Sequence, residues 1–205
     1  MTSILKADEI QDSSGNLIIK EVGDAITIGA SGDTITIPSG ATITNSGTAT
    51  GFGITEADQW RLTADQSGGT NAIVTSNLER VDTDGFGQLG TGMTESSGVF
   101  TFPSTGIYLI QLIGFINIRA DGAGNVSIET TTDNSTFTDA CIVTAGNNDA
   151  SGVMQSVAGN FIFDVTNTST HKFHLKTHSM ASGSYLMGET DRNRTAITII
   201  RLGDT

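Results

Sequence analysis

Three observations predict an all-β protein, with a short strand-and-turn repeat followed by a β-sandwich or barrel. The first is composition: the 205 residues include 31 Thr and 25 Gly but four Lys. β-Branched Thr suits a half-buried pleated surface, and Gly suits turns. The second is spacing. Beyond Thr50, apolar runs of strand length recur between turn clusters such as Ser67-Gly68-Gly69, Asp121-Gly122-Ala123-Gly124-Asn125 and Gly146-Asn147-Asn148-Asp149. The third is an internal repeat: Ile26-Thr27-Ile28 returns as Ile35-Thr36-Ile37, with a weaker copy at Thr42-Ile43-Thr44. Together they argue against a helical bundle, a coiled coil and an α/β nucleotide-binding enzyme.

The first fifty residues contain no aromatic side chain. Strands are expected over 16–20, 25–28, 34–37 and 42–44, each too short to stand as an independent sheet. Their isoleucines alternate with Thr, so one face is apolar and lacks a cover in the same chain. Copies packed around a common axis would bury it, which makes 16–50 an intertwined stem with Ile26, Ile28, Ile35 and Ile37 at the subunit interface; the plain alternative is a flexible linker. Residues 1–15 precede the repeat. Their apolar side chains, Ile4, Leu5 and Ile10, suit either a docking peptide or a frayed terminus.

Gly51-Phe52-Gly53 marks a boundary, and all the tyrosines and tryptophan and every phenylalanine lie from there on. Strands are expected at 60–64, 72–75, 98–102, 106–119, 125–132, 140–144, 153–165, 171–177 and 195–202. Eight or nine strands at this spacing make a sandwich or barrel over 51–205. The run Gly106–Ile118 is apolar on both faces: Tyr108, Ile110, Leu112, Ile116 and Ile118 alternate with Ile107, Leu109, Ile113 and Phe115. Such a strand needs two covers. With no helix expected, the second is a neighbouring copy, and Tyr108, Ile110 and Leu112 are its candidate contacts.

Charge narrows the partners. The net charge is −12 and the pI about 4.3. There is no basic run beyond Arg192 and Arg194, so neither nucleic acid nor an anionic membrane is an expected partner. A single cysteine, Cys141, excludes an intrachain disulfide and reads as a small apolar side chain. Lys6, Asp8, Glu9 and Asp12 interrupt the first twenty residues, so no secretory signal is expected. The most apolar run is too short for a membrane-spanning helix.

Two stretches carry family resemblances. Gly98-Val99-Phe100-Thr101-Phe102-Pro103-Ser104-Thr105-Gly106-Ile107-Tyr108 resembles the signature of tumour-necrosis-factor-like and complement-type globular heads, with Phe102, Pro103, Gly106 and Tyr108 at the matching positions. Thr195–Leu202 is similar to the last buried strand of that family. The resemblance covers roughly 55–205 and implies a jelly roll that assembles as a trimer about a threefold axis. Ile4-Leu5-Lys6-Ala7-Asp8-Glu9-Ile10, followed by Ser14-Gly15-Asn16, resembles the start of phage virion appendage proteins. No collagen-like stalk is present, which points away from an animal immune protein.

Candidate sites are few. On a strand, His174, Lys176 and His178 share one face, and a lysine between two histidines disfavours a cation. Asp121, Asn125, Asp133 and Asp139 suit calcium or plain turn chemistry, and lack the regular spacing of a dedicated calcium loop. Glu189 and Asp191 share a strand face but need be no more than acidic surface. No nucleophile elbow or phosphate loop occurs. We therefore expect no enzyme, no metal and no cofactor. The expectation is a structural virion protein: docking N-terminus 1–15, stem 16–50 and jelly-roll head 51–205. It would be a homotrimeric fibre joined to other virion proteins through its N-terminus, displaying a tip for a host-surface glycan or protein, with capsid decoration as the alternative. Asn147 to Asp149 and Ser182 to Tyr185 are candidate glycan-contact loops.

Overall fold

The computed structural model describes residues 8–22, 25–44, 53–67, 71–119, 122–148, 151–180 and 182–205. The chain divides into two compact units, Met1–Thr50 and Gly51–Thr205. Among the described residues there is no helix.

The first unit holds three antiparallel strands, β1 (Glu9–Gln11), β2 (Leu17–Val22) and β3 (Ala25–Ile28), in that order. The β1–β2 turn is fixed by Asp12, whose Oδ1 accepts the backbone N–H of Ser14 (2.8 Å) and of Asn16 (2.9 Å). The strands expected at 34–37 and 42–44 do not form: these segments carry no assigned strand, and among the described residues no segment pairs with them. Ile26, Ile28, Ile35 and Ile37 are 45–70 % exposed. Ile10 is exposed on β1, whereas Ile4 and Leu5 lie outside the described residues.

The second unit is a sandwich of two antiparallel sheets. Its strands are β4 (Ala57–Leu62), β5 (Gln66–Ser67), β6 (Ala72–Ile73), β7 (Leu78–Arg80), β8 (Thr94–Ser96), β9 (Val99–Thr101), β10 (Gly106–Ile118), β11 (Gly122–Thr131), β12 (Thr138–Asn147), β13 (Val153–Val165), β14 (Lys172–His178), β15 (Tyr185–Leu186) and β16 (Ala196–Gly203). A seven-stranded sheet runs β5-β15-β10-β16-β4-β7, with β13 paired along β10. A six-stranded sheet runs β12-β11-β14-β9-β8, with β6 on β14. The long strands match the expected runs. Sequence reading missed β5, β7, β8 and β15, which at two or three residues are too short to show a period.

The core lies between the sheets. Phe100 and Phe173 stack at 4.8 Å, Trp60 meets Phe100 edge-on at 5.4 Å, and Phe102 packs on Tyr108 at 4.6 Å. Tyr108 is fully buried, yet its hydroxyl reaches the Ser104 carbonyl at 3.0 Å, so its polar end is satisfied. Gly106 is required at its place: φ is 147°, and a Cβ would stand 2.6 Å from the Gly203 carbonyl oxygen. Tyr108, Ile110 and Leu112 face this core and have no exposed surface. That corrects their assignment to a subunit interface: the facing sheet already covers them, and the side of β10 left open is the opposite one.

Candidate functional site

Cross-strand register places the open side of β10 in a surface that spans four strands. Leu109 lies opposite Ile162 of β13 and Ile200 of β16, and Ile200 lies opposite Ala57 of β4. One row along, Asn160, Gln111, Thr198 and Gln59 form a continuous polar line, with the Gln59 amide donating to Thr198 Oγ1 at 2.8 Å. The next row is Ala158, Ile113 and Ala196, ending at Arg61. Ile162 is 59 % exposed and Ile113 39 %. Up to Arg61 these three rows carry no charged side chain.

Arg61 closes the surface. Its side chain is 1 % exposed and fully engaged: Nε donates to Glu79 (2.7 Å), Nη1 to Thr83 (2.9 Å) and Nη2 to Asp82 (2.7 Å). A cavity of about 300 Å³ beside it is lined by Gln59, Phe86, Arg192 and Asn193 among others. Asp58, on the opposite side of β4, is buried and accepts from Trp60 Nε1 (2.9 Å), Arg80 Nε (3.0 Å) and the Met93 backbone (2.8 Å). Removing any of these donors would leave a buried carboxylate short of partners.

A second polar cluster lies on the outer face of the six-stranded sheet. Glu129 of β11 is buried, with Oε2 2.6 Å from His174 Nε2 and Oε1 2.7 Å from Lys176 Nζ. His174 stacks on Phe137 at 4.2 Å, and its Nδ1 is buried without a hydrogen-bond partner. Burial holds the His174 imidazole below its ordinary pKa, against the upward pull of Glu129. His178 Nε2 lies 3.1 Å from Asp139 Oδ1 and 2.8 Å from the Ser127 hydroxyl, while its Nδ1 lies 3.0 Å from Asn71 Oδ1. The three histidines thus separate: His171 is buried elsewhere, between Thr166 and Thr170.

The candidate calcium residues do not converge. Asp133 Oδ1 accepts from the backbone N–H groups of Ser135 and Thr136 and from the Thr131 hydroxyl, each at 2.8 Å, which is turn chemistry. These bonds hold its carboxyl far below the usual carboxylate range. Asp139 turns to His178, and Asp121 lies outside the described residues. Glu189 is occupied by Arg192 and Arg194 rather than paired with Asp191. Of the candidate glycan loops, Asn147 and Ser184 are buried, Tyr185 Oη accepts from Asn117, and Asp149 lies outside the described residues. Cys141 is a free, half-buried thiol packed against the core.

The chain superposes on Eiger TNF from S. frugiperda with a TM-score of 0.57 at 10 % identity, covering 75 % of this chain and 96 % of that one. It superposes on murine APRIL, solved at pH 5.0, with a TM-score of 0.52 at 11 % identity, covering 72 % and 98 %. The head is a TNF-like jelly roll. At these identities the likeness is one of fold. No protein-family model matches the sequence, and no curated protein matches it. Among the described residues no helix is long and apolar enough to cross a membrane.

Proposed function

We propose that the protein is a structural virion protein, a homotrimeric fibre whose jelly-roll head is displayed for attachment to a host surface. The observation that carries self-association is the outer face of the seven-stranded sheet. It presents three adjoining rows whose one charged side chain, Arg61, is buried and paired, in a chain of net charge −12. Copies of an acidic chain repel where their carboxylates meet, so a face without exposed charge is the one a further copy covers at least electrostatic cost. A basic partner would find its counter-charges elsewhere on the surface. The polar line Asn160–Gln111–Thr198–Gln59 between two apolar rows favours one register, since each amide buried by association needs a partner. The exposed isoleucines of the first unit call for the same remedy, a cover supplied by further copies. Three tips on one axis then give avidity without tight single contacts, and the N-terminal resemblance supplies the virion as the place of assembly.

Light scattering on a sizing column tests this directly. Three copies of the 21.3 kDa chain give about 64 kDa. Ile113→Asp, which puts a carboxylate in the middle of the face, is expected to lower the fraction of trimer markedly while the head stays folded. A wild-type monomer would overturn the reading. Deleting residues 1–20 should abolish virion incorporation and leave trimers; normal incorporation would overturn the docking role. Virions lacking the protein should adsorb poorly, whereas loss of shell heat resistance with normal adsorption would point to capsid decoration.

A further inference from the structure

We propose that Glu129, Asp139 and His178 form a binding site for a divalent transition-metal ion of the zinc type on the outer face of the six-stranded sheet. The three side chains come from three adjacent strands, β11, β12 and β14, and one ligand atom of each lies within 4.8 Å of the other two. One pair, His178 Nε2 and Asp139 Oδ1, is 3.1 Å apart. Ligand atoms that each stand about 2.1 Å from one ion are about 3–3.5 Å from one another, so this pair already has coordination spacing. One imidazole nitrogen with two carboxylates suits Zn²⁺, Co²⁺ or Ni²⁺ better than Ca²⁺ or Mg²⁺, which favour oxygen alone.

The orientation of His178 is an independent indication. Its Nδ1 faces Asn71 Oδ1 at 3.0 Å. With Nδ1 turned to Asn71, Nε2 faces Ser127 Oγ at 2.8 Å and Asp139 Oδ1 at 3.1 Å. The Ser127 hydroxyl can donate to Nε2 in the metal-free protein, and a bound ion would take its place. Asn71 plays the orienting part that an outer partner plays at a histidine ligand. Glu129 is held in the same manner by His174 at 2.6 Å, and His174 is clamped by Phe137. Pairing sets Glu129 opposite Asp139 on one side and His174 on the other, and His178 opposite Asn125 of the same strand β11. A site built across a sheet keeps its geometry better than one on loops.

Lys176 is the competitor. Its ammonium lies 2.7 Å from Glu129 Oε1, and the side chain is partly exposed. It supplies the counter-charge to a buried carboxylate, and it has solvent to move into when a metal takes over that role. Removing it should therefore strengthen metal binding.

The test uses the full, tag-free chain, titrated with Co²⁺ followed by visible absorption, and with Zn²⁺ followed by calorimetry. We expect one ion per chain, with affinity reduced about 10–100-fold in His178→Ala and in Asp139→Asn, and increased about tenfold in Lys176→Met. Asp139 is partly exposed, so its conservative variant keeps the fold readable if the His178 change disturbs it. No binding of either ion at millimolar concentration would overturn the proposal. So would affinity unchanged in both ligand variants, or affinity that falls in Lys176→Met.

Discussion

The two units are written in the same vocabulary and reach opposite ends. Both place isoleucines along β-strands. In the head, Ile110, Ile116, Ile118 and Ile128 have no exposed surface; in the first unit, Ile26 is 70 % exposed and Ile43 68 %. Local pattern is not the difference, since Ile26-Thr27-Ile28 lies in a strand too. The difference is a second layer. The head has two sheets that close on each other around stacked aromatics, and the first unit has one small sheet with no aromatic residue. Alternation makes a strand, but burial requires something to be buried against.

That contrast can be broken from the head side first. Phe173→Ala removes the ring stacked on Phe100 in the middle of the core and should cost about 3–5 kcal/mol, seen as a large fall in the denaturation midpoint. Ile26→Ala, on the first unit, should leave the head's midpoint where it is. Equal losses from the two changes would mean that the units do not differ as described. Next in size is Gly106→Ala. The left-handed backbone at φ 147° and the contact with the Gly203 carbonyl should cost more than about 1 kcal/mol, with the loss confined to the head transition in a two-step melt. A variant as stable as the parent would show that the β10–β16 edge can shift to admit a side chain.

The smallest effect sharpens the comparison at a surface turn. Asp133→Ala removes three hydrogen bonds from an exposed carboxylate. The folded carboxyl titrates below its unfolded value, so its contribution is complete above the unfolded pKa of about 3.9 and fades as pH falls toward the folded one. The stability gap between parent and variant should therefore be constant above about pH 5 and narrow steadily toward pH 2. A gap independent of pH would remove the carboxylate's charge from the account.

Much of the head was legible in the chain. The signature around Phe102, Pro103, Gly106 and Tyr108 led to a jelly roll, and the long strands announced themselves by period. Which side of β10 faces outward was not legible, because both sides read as apolar; Tyr108, Ile110 and Leu112 went to the wrong surface for that reason. The Glu129, Asp139 and His178 cluster was equally hidden. Along the sequence, His178 has a histidine and a lysine for same-face neighbours, and its carboxylate partners are some forty to fifty positions away, brought near by pairing alone. The strands expected at 34–37 and 42–44 failed for the converse reason, since their pattern was present and a pairing partner was not.

By itself, then, the sequence determined the class of structure, the placing of the long strands and the division near residue 50, because these follow from side-chain period, turn residues and composition, all of which act over short stretches. Tertiary structure alone decided which face of the doubly apolar strand is core, which residues share an uncharged surface, and which carboxylates meet which histidine. Those outcomes depend on register between strands far apart in the chain, and a shift of one residue in any pairing would exchange the two faces.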